Sequence, residues 1–462
     1  MDTKISINEN MSLGKRFFKY LAPSVVAMWV FSLYTMVDGI FVSKGVGELA
    51  LAAVNISMPF INFIFAVSLL FSTGASTIIA IYLGKKDIKS ANEVFSFNLV
   101  SIIILSIIIL AITFFNLDRL ALFLGATEST IGMVKDYLGI IIFFNGFFIV
   151  SYSLEVIIKT DGFPILATVG VIISALTNII LDYLFVIEFG WGVKGAGIAT
   201  GLSQVFSTIF FLIHFLRKNS TLNFSKFRID FKTLRKIVFI GFPDSTTELS
   251  CGIVVLLFNL SLTKYIGENA LIYYSVINYI NTLVLMTMMG ITQGMQPLTS
   301  FYYGAGNIDN VKKLLKMGIK ATIIASVAVF AICMAFSGPI VSLFIHPEET
   351  MLFNEGVRVF KIFSISFLLV GINVIISGFF VSVEKPSIST VISLGRGLVI
   401  VVLSLISMIL IFGGQGIWMT TIVSEFICLI LSLVFLKKNF STLDSNLNKV
   451  AYMIRVTIYE NI

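Results

Sequence analysis

The sequence has 462 residues, of which 57% are hydrophobic and only 12% are charged. Ordinary soluble domains are about 25% charged, so we predict an integral membrane protein. The net charge of +7 does not indicate nucleic-acid binding, because the basic residues are spread over short segments between apolar runs, with no interleaved base-stacking aromatic residues.

Twelve apolar runs are long enough to cross a bilayer, which takes about 20 residues of helix. The alternating pattern of a membrane β-barrel is missing. The predicted fold is therefore an all-α bundle of twelve transmembrane helices. In chain order the predicted spans are residues 20–43, 49–81, 92–116, 130–158, 163–188, 193–216, 236–262, 269–300, 313–339, 353–381, 386–411 and 415–436.

The positions of the basic residues predict the orientation of this bundle. If both termini and every second loop lie on one side, most of the 32 Lys and Arg residues lie there too. This group includes Lys159 after the fourth span and a cluster between Arg217 and Lys236. Loops rich in Lys and Arg stay in the cytoplasm. We therefore predict a multi-pass protein of the cell membrane with both termini cytoplasmic.

The two halves of the chain repeat each other. Residues 43–51 resemble residues 263–271, and the same offset relates Gly84 to Gly304. Each half contains six predicted helices, an even number, so the halves form parallel repeats, and transporters built this way place their substrate path between the halves. We predict an N-terminal six-helix bundle at 1–218 with the cation-coupling site, a cytoplasmic linker at 219–235, a C-terminal six-helix bundle at 236–440 and a cytoplasmic tail at 441–462.

The strongest functional signal is the pair Asn178 and Asp182 in the fifth predicted span. Residues four apart share one face of a helix. An ionised carboxylate at the membrane centre costs about 2.5 to 3.5 kcal/mol on insertion scales, and such residues usually face a bundle interior or a wet cavity. The pair therefore predicts a functional site. The alternative is that both residues only join neighbouring helices by hydrogen bonds.

Six further residues place polar or charged groups within predicted spans. Several have an ordinary alternative explanation: Asp38 and Glu155 can lie near a membrane surface, and Arg396 can extend to the interface. Arg396 is also a candidate countercharge for a carboxylate such as Glu425, although no sequence spacing brings the two together. The six residues are Asp38, Glu155, Thr200, Glu248, Arg396 and Glu425.

The repeat makes the first half the expected location of an ion site. The offset is 220 residues at Asp38 and 222 residues from Pro164 onward, so Asp38 falls on Phe258 and Asp182 on Ser404, and both carboxylates are lost. A structural device shared by the halves should appear twice, whereas an ion site needs to appear once. Carboxylate, amide and hydroxyl oxygens suit a small hard cation, and a proton can occupy a buried carboxyl instead. We predict one cation-coupling site, for Na⁺ or H⁺, at Asp38, Asn178, Asp182 and Thr200.

No motif of an enzyme stands out. His214 and His346 lack metal-ligand spacing and are interpreted as surface residues, while Cys251, Cys333 and Cys428 are interpreted as buried packing residues. The sequence has no P-loop and no nucleophile elbow. We therefore predict a transporter without enzymatic activity or cofactor that uses an ion gradient as its energy source.

Several positions spread over the chain form a combined pattern. They are Pro23 and Tyr34 before Asp38, residues 49–54, Pro59, residues 73–75, Asn178, Asp182 and residues 195–200. Together with the twelve spans in two halves, this pattern resembles the multidrug and toxic compound extrusion (MATE) family over nearly the whole chain. The resemblance implies a V-shaped pair of six-helix bundles that exports cationic amphiphilic compounds in exchange for Na⁺ or H⁺. It also implies a first-half cation site carried by the four residues named above, and Glu248 resembles an acid that some members keep in the seventh helix.

The predicted substrate contacts follow from residue chemistry. Tyr34, Asp38 and Glu248 supply the aromatic and carboxylate partners that a lipophilic cation needs. Met286 and Met289 suit a promiscuous apolar pocket, although a methionine stripe is more often packing. Glu155 and Arg396 complete the candidate substrate or proton residues.

The predicted partners are small cationic molecules and the lipid bilayer, with no nucleic acid, and the protein is predicted to work as a monomer. The alternative within the same superfamily is a flippase for a lipid or lipid-linked oligosaccharide, which would need several cationic residues in the cavity. The alternative from another class is a membrane-embedded enzyme.

Overall fold

A computed structural model describes the backbone of residues 11–217, 219–348 and 350–459, and the side chains within these ranges except Glu48 and residues 440–459. Every regular element in these ranges is helical. Two short π-helices (Tyr183–Glu188 and Gly395–Val399) follow α6 and α14, and a 3-10 helix (Gly413–Met419) precedes α16. The α-helices are α1 (Leu13–Gly45), α2 (Glu48–Gly84), α3 (Ile88–Phe115), α4 (Leu117–Phe123), α5 (Ile131–Thr160), α6 (Pro164–Asp182), α7 (Gly192–Phe215), α8 (Phe231–Tyr265), α9 (Asn269–Gly304), α10 (Ile308–Ala335), α11 (Ser337–Ser342), α12 (Thr350–Ser364), α13 (Phe367–Ser382), α14 (Pro386–Leu394), α15 (Ile400–Phe412) and α16 (Thr420–Tyr459).

Eleven helical stretches of the described chain are long and apolar enough to cross a membrane. The last of them, Pro386–Asn439, has 54 residues; a straight helix of that length would extend about 80 Å, against about 30 Å for the hydrocarbon core. It is not straight, because Gly413 adopts a φ of +62° and α15 packs against α16. This stretch therefore crosses twice, and the predicted all-α fold of twelve spans is confirmed over the described residues.

Among the described residues, the two halves of the chain contact each other mainly through four helices. The main contacts between the halves pair α1 with α9, α2 with α8, and α2 with α9. Under the repeat, α1 corresponds to α8 and α2 to α9. The contact of α1 with α9 is therefore equivalent, by the repeat, to the contact of α8 with α2. The contact of α2 with α9 joins two equivalent helices, so it lies at the axis that relates the halves. This arrangement is typical of parallel repeats around an axis along the membrane normal. The exact boundaries of the two bundles stay a prediction.

Glycine residues allow these helices to touch backbone to backbone at one end of the molecule. A Cβ atom on Gly84 would lie 2.0 Å from the carbonyl oxygen of Phe301, and one on Gly304 would lie 2.1 Å from that of Ile81. No side chain fits at such distances. We call the end where α1 begins and α2 ends the inner end. The halves are closed against each other there, next to the segments whose basic residues predict a cytoplasmic location.

The segment between the halves folds back over the first half, which corrects one sequence prediction. Asp161, in the turn after α5, accepts hydrogen bonds from the Ser220 hydroxyl at 2.9 Å and the Leu222 N–H at 3.1 Å. His214 is only 5% exposed, and its Nε2 lies 2.8 Å from an Asp161 carboxylate oxygen. The interpretation of His214 as a surface residue was wrong because the following segment covers it. His346 is exposed, as predicted.

Candidate cation and substrate site

A cavity of about 420 Å³ lies between the two halves. It begins beside the glycine contacts of the closed inner end, at Thr73 and Gln296, and extends to Asp38 and Met58 farther along α1 and α2. Four acidic and two basic side chains line it. Cys251 also faces this space and is exposed, which corrects its interpretation as a buried packing residue.

The four residues predicted to couple a cation lie together beside this cavity. Asp38 of α1 and Asp182 at the end of α6 bring their carboxyl groups within hydrogen-bonding distance of each other. The Asn178 side-chain amide donates to the Thr200 hydroxyl at 3.3 Å. Asp38 and Thr200 line the cavity, whereas Asn178 and Asp182 are fully buried behind them. The four-residue helical spacing places Asn178 and Asp182 on one face of α6. The packing of α1 and α7 against α6 brings Asp38 and Thr200 to that face.

Several oxygen atoms of this cluster have no hydrogen-bond donor among the described residues. They are one carboxylate oxygen of Asp38, both of Asp182 and the amide oxygen of Asn178, all buried. An ionised carboxylate can only accept hydrogen bonds, and a buried acceptor without a donor costs about 1 to 3 kcal/mol. A small cation or a proton at this point would satisfy them. The donor set thus fits a hard cation, which prefers oxygen ligands.

The equivalent region of the second half is apolar. Phe258, which corresponds to Asp38, stacks on Tyr274 with ring centroids 5.3 Å apart. Ser404, which corresponds to Asp182, is buried with its hydroxyl lacking a partner among the described residues. The asymmetry found in the sequence is therefore also an asymmetry of the packed structure.

In the same cavity, an acidic and a basic side chain form a buried pair. Glu155 and Lys159 are both on α5, and Lys159 Nζ lies 2.7 Å from Glu155 Oε1. The same ammonium donates to Gln293 Oε1 of α9 at 3.1 Å, and Gln293 Nε2 donates to the Tyr152 hydroxyl at 3.0 Å. The sequence placed Lys159 in a cytoplasmic loop. That placement was wrong, because α5 continues to Thr160 and Lys159 is only 1% exposed.

Sequence reasoning missed one acid that lines the cavity. Asp244 lies four residues before Glu248, on the same face of α8, and both residues line the cavity. The Thr73 hydroxyl of α2 donates to Asp244 Oδ2 at 3.0 Å, which joins the two halves. The four-residue helical spacing between Asp244 and Glu248 was the signal that could have found it.

Arg396 and Glu425 form an ion pair in the second half. Arg396 Nε lies 2.9 Å from Glu425 Oε1, and the Asn373 amide donates to the other carboxylate oxygen at 2.7 Å. Arg396 lies in the π-helix Gly395–Val399, and π-helical turns frequently occur at functional sites. Arg396 and Glu425 are therefore paired, although no sequence spacing predicted it. The charge of Arg396 is balanced within the second half.

The remaining candidates divide between the cavity and the core. Tyr34, Met286 and Met289 line the cavity, whereas Met288 and Met295 are buried in the packing of α9. The methionine stripe thus serves both purposes that the sequence left open. Both basic residues of the described cavity lining are paired with acids. The acids of this lining without a basic partner among the described residues are Asp38, Asp244 and Glu248, and Asp182 lies buried behind Asp38.

Known proteins with similar sequences and structures are transporters. The sequence profile of the family described as MatE matches residues 23–184 and 248–406, one segment in each half. The multidrug export protein MepA of Staphylococcus saprophyticus is 28% identical over 96% of this chain and 98% of its own. An outward-facing multidrug resistance MATE family transporter of the MOP superfamily has a TM-score of 0.89 at 23% identity, over 94% of this chain and 97% of its own. A MOP superfamily transporter from Pyrococcus furiosus, described as having a binding pocket of reverse polarity, has a TM-score of 0.88 at 22% identity, over 96% and 98%.

Proposed function

The chain belongs to the MatE family of membrane transporters, and from this premise we propose that it is a secondary multidrug exporter. It exchanges cationic amphiphilic compounds for Na⁺ or H⁺ by alternating access. The likeness to MepA, a multidrug export protein, supports export of small molecules. The inference of ion exchange rests on this chain's own residues.

The observation that carries the coupling proposal is the group of buried oxygens without donors at Asp38, Asn178 and Asp182. A buried carboxylate pair at hydrogen-bonding distance is costly unless a proton or a cation bridges it. Binding of the coupling ion therefore changes the energy of the packing between α1 and α6. That change is what a coupled transporter needs, since an ion can drive a conformational change only through a difference in affinity between two states.

The substrate class follows from the charge of the cavity. The fold alone does not set this charge, because the Pyrococcus furiosus neighbour is described with reverse polarity. Here Lys159 and Arg396 are both paired with acids, while Asp38 and Glu248 face the cavity without a basic partner among the described residues. Together with the ring of Tyr34 and the thioethers of the α9 methionines, this lining suits a lipophilic cation. A flippase for an anionic lipid is not favoured, because both basic residues among the described lining of the cavity are already paired with acids.

The geometry of the two halves supports alternating access. The inner end is closed by backbone contacts at Gly84 and Gly304, and the cavity lies beyond that contact. Rocking of the halves about the axis between α2 and α9 would separate these glycines and expose the cavity to the inner side. In the proposed cycle, the state with the inner end closed releases substrate outward and receives the coupling ion.

Removing one carboxylate tests the proposal. Asp182→Asn keeps the shape of the side chain but prevents the buried pair from exchanging a proton or a cation. We expect purified Asp182→Asn in sealed liposomes to lose export of tetraphenylphosphonium by about 100-fold or more, while its melting temperature stays close to that of the wild type.

The matched control is Ser404→Ala, the corresponding position of the second half. Its buried hydroxyl has no hydrogen-bond partner within the described part of the chain, so we expect little change in export. Equal activity of Asp182→Asn and the wild type would place coupling elsewhere. An equal loss in Ser404→Ala would contradict the single-site proposal.

A further inference from the structure

One buried charge of the cavity has no part in the coupling cluster. Lys159 lies in the last turn of α5, is 1% exposed, and directs its ammonium at Glu155. Both side chains line the cavity. Glu155 is thus an acid in a cavity suited to cations, and a cation that belongs to the protein already occupies it.

The second partner of this ammonium comes from the other half. Gln293 on α9 accepts from Lys159 Nζ at 3.1 Å and donates to the Tyr152 hydroxyl of α5 at 3.0 Å. Its amide is therefore held at both ends, with the oxygen toward Lys159. These two hydrogen bonds connect α5 to α9 across the boundary between the halves, and they exist only while α9 stays against α5. We call Glu155, Lys159 and Gln293 the lysine clasp.

The energies of this clasp depend on all three members. A hydrogen bond to a charged group contributes about 1.5 to 3 kcal/mol, and a buried charge that loses its partner is strongly destabilising. Lys159 therefore stays on Glu155 unless another cation takes its place. When the inner end opens, α9 moves away from α5 and the Lys159 ammonium loses its hydrogen bond to Gln293. The position of the ammonium beside Glu155 is then less stable.

Resting on the proposed export of cationic substrates, we propose that Lys159 is the built-in competitor of the substrate at Glu155. With the inner end closed, the lysine clasp occupies Glu155 and lowers the affinity of the cavity for a cationic compound. With the inner end open, Lys159 releases Glu155 to the substrate. Affinity is then high toward the inner side and low toward the outer side, which is the direction that export requires.

The competition is tested by equilibrium binding of tetraphenylphosphonium to the purified full-length protein. Lys159→Gln removes the competing charge, and we expect its Kd to fall about tenfold, the equivalent of one charge-assisted hydrogen bond. Lys159→Arg restores the charge and should return Kd toward the wild-type value. Lys85→Gln, an exposed residue after α2, is the matched control for loss of one positive charge and should leave Kd unchanged.

A double variant separates competition from a change in conformation. If Lys159 acts by occupying Glu155, the gain in affinity must disappear when both residues are changed, so Glu155→Gln with Lys159→Gln should bind no tighter than Glu155→Gln alone. A gain that persists without Glu155, or unchanged binding in Lys159→Gln, would overturn the proposal.

Gln293→Ala provides a second test that keeps the buried ion pair. It removes only the contact from the other half, and we expect Kd to fall about threefold, less than in Lys159→Gln, because the ammonium loses one hydrogen bond but keeps its ion pair with Glu155. If Lys159→Gln does not fold, an unchanged Kd in Gln293→Ala refutes the lysine clasp as a competitor. Failure of the proposed function looks different: the wild type itself would then neither bind nor export the probe.

Discussion

Thr200 shows how one hydroxyl prepares the candidate cation site. Its oxygen accepts from the Asn178 amide nitrogen, which leaves the Asn178 amide oxygen buried without a donor, like the carboxylate oxygens of Asp182. The assignment of oxygen and nitrogen in an amide follows from its hydrogen bonds. We therefore propose that Thr200 acts less as a ligand than as the group that directs the Asn178 amide oxygen toward the proposed cation site.

Thr200→Val tests this role, because valine keeps the volume and loses the hydroxyl. Without its acceptor the Asn178 amide can turn its nitrogen toward the carboxylates. We expect the ion concentration that gives half-maximal export to rise about tenfold, in line with about 1.4 kcal/mol for a lost buried interaction. Thr200→Ser keeps the hydroxyl and should behave like the wild type. Equal effects of the two substitutions, measured as initial export rates over a range of ion gradients, would refute the role.

At the scale of the helix, the repeat supplies matched caps at the starts of α3 and α10. Asp87 accepts from the Ser90 N–H at 3.0 Å, and Asn307, at the same offset of the repeat, accepts from the Asn310 N–H at 3.0 Å. The hydrogen bond from Ser90 holds the pKa of Asp87 below its ordinary value of 3.8. A lowered pKa adds stability above the unfolded-state pKa, and that stability is lost as the pH falls through the folded-state value.

We predict that Asp87→Ala destabilises the protein by about 1 kcal/mol at neutral pH and by progressively less as the pH falls below the unfolded-state value. Asn307→Ala removes an uncharged cap, so its cost should be the same at every pH. Thermal unfolding in detergent between pH 3 and pH 7 measures both. The same pH dependence for the two variants would contradict the charge-based explanation.

The helix contacts at the inner end make a separate prediction. Gly304→Val inserts a side chain where even a Cβ atom would lie 2.1 Å from the Ile81 carbonyl oxygen, and overpacking typically costs about 1 to 3 kcal/mol. We expect a lower melting temperature and weaker export, because the halves can no longer close. Gly252→Ala is the control, since its Cβ would meet nothing within 4 Å. A Gly304→Val variant as stable and active as the wild type would disprove a closed inner end.

At the scale of the whole molecule, the features that could be predicted from the sequence are those that local sequence patterns determine. Long apolar runs predict the spans, the offset predicts the paired halves, and the four-residue spacing predicts that Asn178 and Asp182 share a face. The packed structure adds the contacts between helices far apart in sequence. Thr73 reaches Asp244 and Lys159 reaches Gln293 across the boundary between the halves. No spacing encodes these contacts, and Lys159 resembled a loop residue because basic residues at span ends usually lie outside the membrane.

For the whole molecule, we propose that an ion gradient drives a lipophilic cation uphill through this chain. The most direct test of this proposal is wild-type protein in sealed liposomes that contain equal tetraphenylphosphonium on both sides, with a Na⁺ gradient imposed first and a pH gradient second. We predict net movement of the probe opposite to the ion under at least one of the two gradients, and its collapse when an ionophore dissipates that gradient. If the probe distribution stays equal under both gradients while the protein remains folded, coupled export by this chain is contradicted.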